Sequence, residues 1–160
     1  MLQDDRMTAD RELRAETVID APAGEVWAVL SDVSRMPEWS DELVTMLPLK
    51  SGGLRPNQWY LGINRRKAVF WPTRSVVSAL EPESKLAWLT KSSGAEWVYE
   101  LAPEASGTRV VHRRPVPGGL TLLSKLFAPV ALGGSVQHAD ELEASMGRTL
   151  ERIKAAVESR

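Results

Sequence analysis

The two histidines are the side chains of this 160-residue chain best suited to proton transfer. His112 follows two valines, and the two-residue period of a β-strand places it on the same face as Val110. On a face that lines an apolar cavity, His112 would be a candidate catalytic residue that moves a proton. The alternative is a histidine on the outer face of the sheet, or one hydrogen-bonded in the core. His138 is predicted to be solvated.

Two clusters of basic residues are candidate anion sites. Arg65-Arg66-Lys67 and Arg113-Arg114 could hold a carboxylate or a phosphate at the rim of a cavity, because guanidinium groups form paired hydrogen bonds with such oxyanions. The alternative is that both clusters are solvated turns or sheet edges. The sequence leaves both interpretations open.

Metal and cofactor chemistry have little support in the sequence. The chain has no cysteine, which excludes disulfides, thiolate catalysis and cysteine-ligated zinc. His138 and Glu141 are three residues apart on a predicted helix, but no third ligand is evident, so no metal site is predicted. No glycine-rich phosphate loop, nucleophile elbow or catalytic-triad spacing occurs, and we expect no cofactor.

Six tryptophans stand beside only two phenylalanines and two tyrosines. Large rings of this kind either fill a core or line a cavity, where an apolar wall with one N–H donor suits ligand binding. The tryptophans are Trp27, Trp39, Trp59, Trp71, Trp88 and Trp97. Three of them are candidate ligand contacts, namely Trp39, Trp71 and Trp97. Tyr99 shares a strand face with Trp97, and Met146 could add an adaptable contact from the last predicted helix.

The predicted strand over 58–65 offers two alternative pocket faces. One face carries Trp59, Leu61 and Ile63. The other carries Tyr60, Gly62 and Asn64, and it is the more suggestive of a binding surface. Gly62 leaves room there, while Tyr60 and Asn64 could orient a polar group of a ligand.

These side chains are set in the composition of an ordinary globular protein, with 43% hydrophobic and 26% charged residues. Twenty basic residues against 21 acidic ones give a formal charge of −1, so no nucleic-acid partner is expected. The polar N-terminus lacks the apolar core of a signal peptide. No apolar run approaches the roughly 20 residues of a membrane-spanning helix. We therefore expect a cytoplasmic protein.

The order of predicted elements is strand, two short helices, six strands and one long helix. A strand over 11–20 precedes an amphipathic helix over 22–33 and a short helix over 33–39, with Ser34 as its cap and Pro37 in its first turn. Turn-like breaks separate the next six strands, which favours an antiparallel meander. These strands cover 43–49, 58–65, 68–79, 85–91, 96–102 and 108–114.

The last predicted element is an amphipathic helix over 135–158, whose apolar residues recur every three or four positions. Such a helix needs an apolar surface, and a curved antiparallel sheet offers one, with space for an apolar cavity between them. The predicted fold is α+β, with one domain over 11–158 and a disordered tail over 1–10. Gly147 is predicted to allow close contact of the helix with a strand or a ligand. Pro72 predicts a bulge or an edge position in its strand.

Several stretches of the chain match one pattern of motifs. They are Val18-Ile19-Asp20-Ala21-Pro22-Ala23-Gly24-Glu25-Val26-Trp27, Leu30-Ser31-Asp32-Val33, Pro37-Glu38-Trp39-Ser40, Gly62-Ile63-Asn64-Arg65-Arg66, Trp71-Pro72-Thr73, Glu81-Pro82, Trp97-Val98-Tyr99-Glu100-Leu101 and Gly107-Thr108-Arg109-Val110. In these stretches the chain resembles the START/Bet v 1-like (SRPBCC) superfamily, and most closely its bacterial polyketide cyclase/dehydrase-like branch. The resemblance extends over about residues 11–158.

The resemblance implies a helix-grip fold, in which a seven-stranded curved antiparallel sheet surrounds a long C-terminal helix, with two short helices after strand 1. A cavity between sheet and helix is also implied. Members of the superfamily bind lipids, sterols, polyketides or plant hormones, and a minority catalyse cyclisation or dehydration without a shared cofactor. The family pattern of an aromatic residue, a glycine and an asparagine matches Tyr60, Gly62 and Asn64, which favours their face as the pocket wall.

The stretch 115–134 is apolar and bounded by prolines and glycines. It is predicted to cover the cavity mouth as a helix or a loop, with Leu123 and Phe127 as ligand contacts. The alternatives are a dimer contact, extra core, or shallow membrane docking beside Arg113 and Arg114 during lipid uptake.

Three functional hypotheses follow. The leading one is binding or carriage of a small hydrophobic ligand such as a lipid, a polyketide or an aromatic metabolite, with one or two polar groups setting its orientation. The second is a cofactor-independent cyclase or dehydratase that uses the same cavity, with His112 or Tyr60 moving a proton. The third is a homodimeric interaction module with the segment 120–132 as its interface. The chain is thus expected to be a monomer or a homodimer, with a transient membrane contact under the lipid hypothesis.

Overall fold

The structure is a computed structural model that describes residues 11–115 and 135–159, with only the backbone described at 135–138. The strands are β1 (Leu13–Ile19), β2 (Leu43–Pro48), β3 (Trp59–Arg66), β4 (Val69–Glu81), β5 (Lys85–Thr90), β6 (Ala95–Glu104) and β7 (Gly107–Arg114). The helices are α1 (Ala23–Leu30), α2 (Met36–Trp39) and α3 (Ser135–Glu158), and a 3₁₀ turn over Val33–Arg35 precedes α2. The tail predicted over 1–10 lies outside the described residues.

The strands form one antiparallel sheet in the order β1-β7-β6-β5-β4-β3-β2. Strands β2 to β7 follow one another as a meander, and β1 pairs with the last strand. In that pairing Leu13 lies opposite Arg114, and Ile19 lies opposite Thr108. The predicted helix-grip fold is confirmed, because α3 lies against this sheet and the two short helices follow β1.

Two register irregularities lie in the sheet, and such irregularities bend and twist strands locally. One is near the start of β2, and the other is between Val77 and Ala79 of β4. Pro72 lies opposite Ile63 of β3 in regular register, while β5 pairs with β4 only from Ser75 onward. Pro72 therefore takes the edge position, the second of its two predicted alternatives, since it has a partner strand on one side only.

Helix α3 buries one side of its surface against β1 and comes close to α1, α2 and β7. Its buried apolar residues are Ala139, Met146, Leu150, Ile153 and Val157. The last three join the main core with Ile19 of β1 and Val26 of α1, while Met146 packs against Leu13. Full burial of a large aliphatic side chain contributes roughly 1.5–3 kcal/mol. Apolar contacts therefore supply most of the energy that holds α3 in place.

The polar side of α3 faces away from this core. In the part of the chain that the structure describes, no helix combines the length and the apolar composition needed to span a membrane.

The short helices differ in detail from the prediction. Ser34 does not cap a helix, because its hydroxyl donates to Asp32 Oδ1 at 2.5 Å, and neither the 3₁₀ turn nor α2 has a side-chain cap. Serine is a common cap residue, which is why the sequence favoured it. Ser34 lies inside the 3₁₀ turn, and Arg35 rather than Ser34 precedes the first residue of α2, so the Ser34 hydroxyl bonds locally instead. Pro37 lies in the first turn of α2, as predicted.

Asp41, just after α2, connects the short helices to α3. Its Oδ2 accepts hydrogen bonds from the Ser145 hydroxyl at 2.7 Å and from Arg148 at 2.8 Å, and its Oδ1 accepts one from Arg152 at 2.6 Å. Burial acts to raise the pKa of Asp41, but the hydrogen bonds from Arg148, Ser145 and Arg152 outweigh it and lower this pKa to about 2. The ionised carboxylate therefore fixes the middle of α3 beside α2.

Two glycines have opposite surroundings. A Cβ at Gly107 would lie 2.1 Å from the carbonyl oxygen of Ile19, so the start of β7 approaches the end of β1 too closely for a side chain. A Cβ at Gly147 would have no atom of the described residues within 4 Å, apart from its chain neighbours and the backbone of its own helix. The predicted close contact of Gly147 with a strand is wrong, because Met146 is the residue that this turn of α3 buries against β1.

The two glycine environments predict stability changes of opposite sign. We expect Gly107→Ala to lower the free energy of unfolding by about 1–3 kcal/mol, because the added methyl group forces the backbone to shift. Gly147→Ala should raise it by about 1 kcal/mol, because alanine loses less entropy than glycine in a helix. Urea unfolding followed by circular dichroism measures both. A loss of stability in both variants would contradict the open surroundings of Gly147.

The Asp41 hydrogen bonds predict a pH-dependent contribution to stability. We expect Asp41→Asn to lower the free energy of unfolding at neutral pH by about 1 kcal/mol, the upper end for partly exposed ion pairs. The folded-state pKa is depressed, so the contribution is present above the unfolded value near 3.8 and is lost as the pH falls through about 2. Urea titrations between about pH 6 and about pH 2 should therefore show that the difference in free energy of unfolding between Asp41→Asn and wild type decreases as the pH falls. Glu158→Gln, which neutralises an exposed carboxylate of α3, controls for net charge; a difference that stayed constant would exclude this role for Asp41.

Candidate ligand-binding site

The concave face of the sheet carries the sequence-predicted site residues in two groups. The group on β3 and β4 is Tyr60, Gly62, Asn64 and Trp71, and the group on β6, β7 and α3 is Trp97, Tyr99, His112 and Met146. Tyr60 is 7% exposed and opposite Ser75, while Trp59 on the alternate face lies beneath the Lys91 ammonium at 5.9 Å. The face of β3 favoured by the sequence is thus the concave one.

The β3–β4 group has less free space than the sequence suggested. A Cβ at Gly62 would lie 2.8 Å from Thr73 Oγ1 and 3.2 Å from Leu43, so these side chains occupy the room that the glycine leaves. Asn64 Nδ2 donates to Thr73 Oγ1 at 3.1 Å and to the Trp71 carbonyl at 3.3 Å. Asn64 therefore joins β3 to β4, and its amide oxygen is the part of the side chain that these bonds do not use.

An apolar pocket lies between the short helices and the concave face of β2–β5. Its lining residues are Val33, Met36, Met46, Leu54, Tyr60, Ser75, Val77, Leu86 and Trp88. Its volume is about 10 Å³, which is room for about one water molecule, whereas ligand pockets usually measure about 300–1,000 Å³. Tyr60 is the predicted site residue that reaches this pocket. This apolar pocket is therefore smaller than the ligand-sized cavity that the sequence predicted.

Trp39 is a core residue, which is the alternative to a cavity-lining role that the sequence left open for its tryptophans. Its ring is 2% exposed within the main core, with the Arg35 guanidinium 5.5 Å from the ring centroid. It is not among the residues that line the apolar pocket. The remaining predicted contacts, Leu123 and Phe127, lie outside the described residues.

Four rings stand side by side on the concave face of β5, β6 and β7. Tyr99 and His112 stack with their centroids 3.9 Å apart and their planes 6° apart. Trp97 stacks on His112 at 5.9 Å, and Trp88 lies 5.7 Å from Tyr99. Such ring pairs contribute about 0.5–1.5 kcal/mol each beyond their burial. Together they form a rigid apolar wall.

His112 is fixed within this wall in its neutral form. Its Nδ1 lies 3.0 Å from the Val98 carbonyl oxygen. A carbonyl oxygen only accepts, so Nδ1 carries the proton and Nε2 is unprotonated. Burial lowers the pKa of His112 to about 4, although the hydrogen bond to Val98 acts in the opposite direction. At neutral pH the imidazole is uncharged and is a weak base, since general bases work best with a pKa near the operating pH.

Sequence reasoning missed three residues that complete this surface. Trp88 lies opposite Trp97, and Ser75 lies opposite Thr90 with the two hydroxyls 3.1 Å apart in the interior. A signal was present, because Leu86, Trp88 and Thr90 alternate along β5 and so share one face. The prediction from the sequence was a strand over 85–91, without an assignment of which of its residues face the interior.

The two basic clusters have different surroundings. Arg113 lies on the outer face, where it pairs with Glu100 and Glu12, whereas Arg114 lies on the concave face opposite Leu13. Arg65 and Lys67 are at the exposed β3–β4 turn, with the Arg65 guanidinium 5.4 Å from the Phe70 ring centroid. Arg66 is exposed and lies 3.9 Å from Glu141 of α3. Arg114 is therefore the member of either cluster that is partly buried beside the aromatic wall.

A second depression is on the opposite side of the sheet. This groove of about 460 Å³ is lined by charges of both signs, among them Arg14, Lys85 and Glu100. An open, charged groove lacks the enclosed apolar character of an organic-ligand site. In residues 11–115 and 139–159, no group of three or more side chains is arranged to hold a metal ion.

The burial of His112 predicts an unusually acidic imidazole. In the variant His138→Gln, where His112 gives the single imidazole signal, an NMR titration should show a midpoint near pH 4. Because this pKa is depressed, the unfolded chain takes up its proton first, at about pH 6.5. The free energy of unfolding should therefore fall by up to about 3 kcal/mol as the pH drops from about 6.5 to about 4, and less so in His112→Gln. A midpoint near the value of a free histidine would contradict the buried stack.

Comparison with known proteins places this geometry in context. Residues 10–158 match the sequence profile of the family described as polyketide cyclase/dehydrase and lipid transport. No curated protein sequence matches the chain. Among solved structures, the Polyketide_cyc-like protein Cgl2372 from Corynebacterium glutamicum is 23% identical with a TM-score of 0.65, over 92% of this chain and 91% of that one.

Two further structures share the fold at lower identity. Ara h 8.0201 is 12% identical with a TM-score of 0.64, over 94% of this chain and 99% of that one. The di-domain ARO/CYC StfQ from the steffimycin biosynthetic pathway is 17% identical with a TM-score of 0.64, over 93% of this chain and 51% of that one. These structural likenesses establish the fold alone. Since the profile match covers nearly the whole chain, this protein belongs to the polyketide cyclase/dehydrase and lipid transport family, within the START/Bet v 1-like superfamily that its motifs resemble.

Proposed function

We propose that this protein binds and carries a small hydrophobic molecule, such as a lipid, a polyketide or an aromatic metabolite, on the concave face of its sheet. The observation that carries the proposal is the position of α3. The helix lies along β1 and near β7, while the concave face of β3–β5 is lined by aromatic, apolar and hydroxyl side chains. An apolar wall with a few polar groups suits an organic ligand, and lipid transport is one of the activities in the family description.

Binding requires the apolar pocket to enlarge beyond its volume of about 10 Å³. Met36 and Met46 line it with unbranched side chains that adapt readily to a new shape. Leu54 lines it from the loop between β2 and β3. Rotation of these three side chains would open space beside Tyr60 and Trp88. A ligand would then gain about 25 cal/mol for each Å² of apolar surface removed from water.

A cyclase or dehydratase reaction in the same space is the second function, because the family includes such enzymes. His112 has its pKa lowered to about 4 by burial, and burial raises the pKa of Tyr60. Neither group is poised to transfer a proton at neutral pH. These pKa directions favour His112 as a fixed wall residue, and they favour binding over catalysis.

The homodimer hypothesis rests on the segment 120–132 and the membrane-contact hypothesis on the stretch 115–134, and residues 116–134 lie outside the described part of the chain. Elsewhere, large apolar side chains are exposed on β2, just after β2 and next to the β3–β4 turn, namely Val44, Leu47, Leu49, Val69 and Phe70.

Native mass spectrometry of the purified protein separates the ligand carrier from the homodimeric interaction module. A hydrophobic molecule that is released on denaturation would support the carrier, whereas a ligand-free dimer would favour the interaction module.

A pocket-filling substitution tests the proposed binding space directly. We expect the uncharged fluorescent probe N-phenyl-1-naphthylamine to bind wild type, and Leu54→Trp to weaken that binding at least about tenfold, equal to about 1.4 kcal/mol. The matched control is Leu49→Trp, the same change at a residue that is 49% exposed. Fluorescence titration gives both dissociation constants. Equal binding by the two variants, or no binding by wild type, would contradict the proposal.

A further inference from the structure

Arg114 is an arginine on the concave face whose charge no carboxylate balances among the described residues. Its Nε is buried without a hydrogen-bond partner. The ion pairs between described side chains do not include it. Burial also lowers its pKa, although an arginine remains protonated at neutral pH. The guanidinium is therefore a charge held in partly apolar surroundings, with no carboxylate of the described residues paired to it.

Arg114 lies beside apolar residues where α3 packs on β1, among them Leu13 and Trp97. Its guanidinium carbon lies 5.8 Å from the Trp97 ring centroid, and Leu13 is its cross-strand partner. Trp97 packs with Leu13 and Met146, and it also stacks on His112. A cation–π contact of this kind contributes about 0.5–2 kcal/mol. It leaves the N–H donors at the edge of the guanidinium plane available for an oxyanion.

Two other arginines show that the fold balances such charges elsewhere. The Arg11 side chain is only 8% exposed, and it pairs with Asp140 at 2.8 Å and Glu143 at 2.7 Å. Arg113, adjacent in sequence but on the outer face, pairs with Glu12 and Glu100. An unpaired polar or charged group in an apolar site is costly, and such groups are concentrated at functional sites.

We propose that Arg114 binds the carboxylate of the hydrophobic ligand, so that the protein selects organic acids over neutral molecules of the same shape. The inference rests on the proposed function and adds the chemical class of the ligand. A carboxylate accepts two parallel hydrogen bonds from a guanidinium, and its single negative charge matches one arginine. A ligand held in this way lays its apolar body along Trp97 toward the His112–Tyr99 stack.

Two matched pairs of probes test this selection, each pairing an acid with a neutral counterpart. The pairs are octanoate with 1-octanol, and 2-naphthoate with 2-naphthamide. Isothermal titration calorimetry at neutral pH measures their binding to wild type, Arg114→Gln, Arg114→Lys and Arg74→Gln. Arg74 is exposed on the outer face of β4, so its variant repeats the charge change away from the concave face. Thermal unfolding followed by circular dichroism verifies that each variant is folded.

We expect wild type and Arg74→Gln to bind each acid at least about tenfold more tightly than its neutral counterpart, as for hydrogen bonds between charged groups. Arg114→Gln should lose this preference while it keeps its affinity for the neutral probes, and Arg114→Lys should recover part of it. Equal affinity of wild type for acid and neutral probes would overturn the role of Arg114 but leave the carrier intact. A preference that persists in Arg114→Gln would do the same. Failure of wild type to bind any of the four probes would count against both proposals.

Discussion

The apolar side of α3 has to be buried away from water, and it is buried mainly against β1. The position of the other strands and of the short helices relative to α3 follows from this packing. β1 comes first in the chain but pairs with β7, so the helix that ends the domain packs on the strand that begins it. Leu13 and Ile19, at the two ends of β1, are completely buried. The ion pairs of Arg11 and Asp41 with α3 set its position, while burial supplies most of the energy, because partly exposed pairs contribute only about 0–1 kcal/mol each.

Since α3 follows β1, the concave face of β3–β5 is closed by side chains and by the short helices rather than by the long helix. Polar groups on this face satisfy one another in local pairs, such as Ser75 with Thr90 and Asn64 with Thr73. His112 is satisfied by the Val98 carbonyl in the same way. Arg114 differs, because its guanidinium makes a cation–π contact with the Trp97 ring and no ion pair with the side chains that the structure describes. Shape and the guanidinium of Arg114 are thus the two properties by which such a surface would select a ligand.

Much of the fold could be predicted because its patterns are local. The three-and-four spacing from Val136 to Val157 predicted the last helix with bounds that match Ser135–Glu158. The turn residues between strands predicted the meander, and Pro72 predicted a bulge or an edge position, of which the structure has the second. The errors also have local causes. Ser34 has the chemistry of a cap, but a 3₁₀ turn intervenes before α2, and the open surroundings of Gly147 depend on which residue of its turn faces β1.

The sequence by itself determined the order of elements, the helix-grip class, the family and the face of β3 that carries Tyr60, because periodicity and motifs are properties of neighbouring residues. Only the tertiary structure decided what fills the interior. Leu43 and Thr73 occupy the room beside Gly62, Trp39 belongs to the core, and the pocket beside Tyr60 has a volume of about 10 Å³. It also separated Arg113 from Arg114, since the partners of two adjacent residues on a strand lie on opposite faces of the sheet. Free volume and charge balance depend on side chains that meet from distant parts of the chain, and no local pattern encodes them.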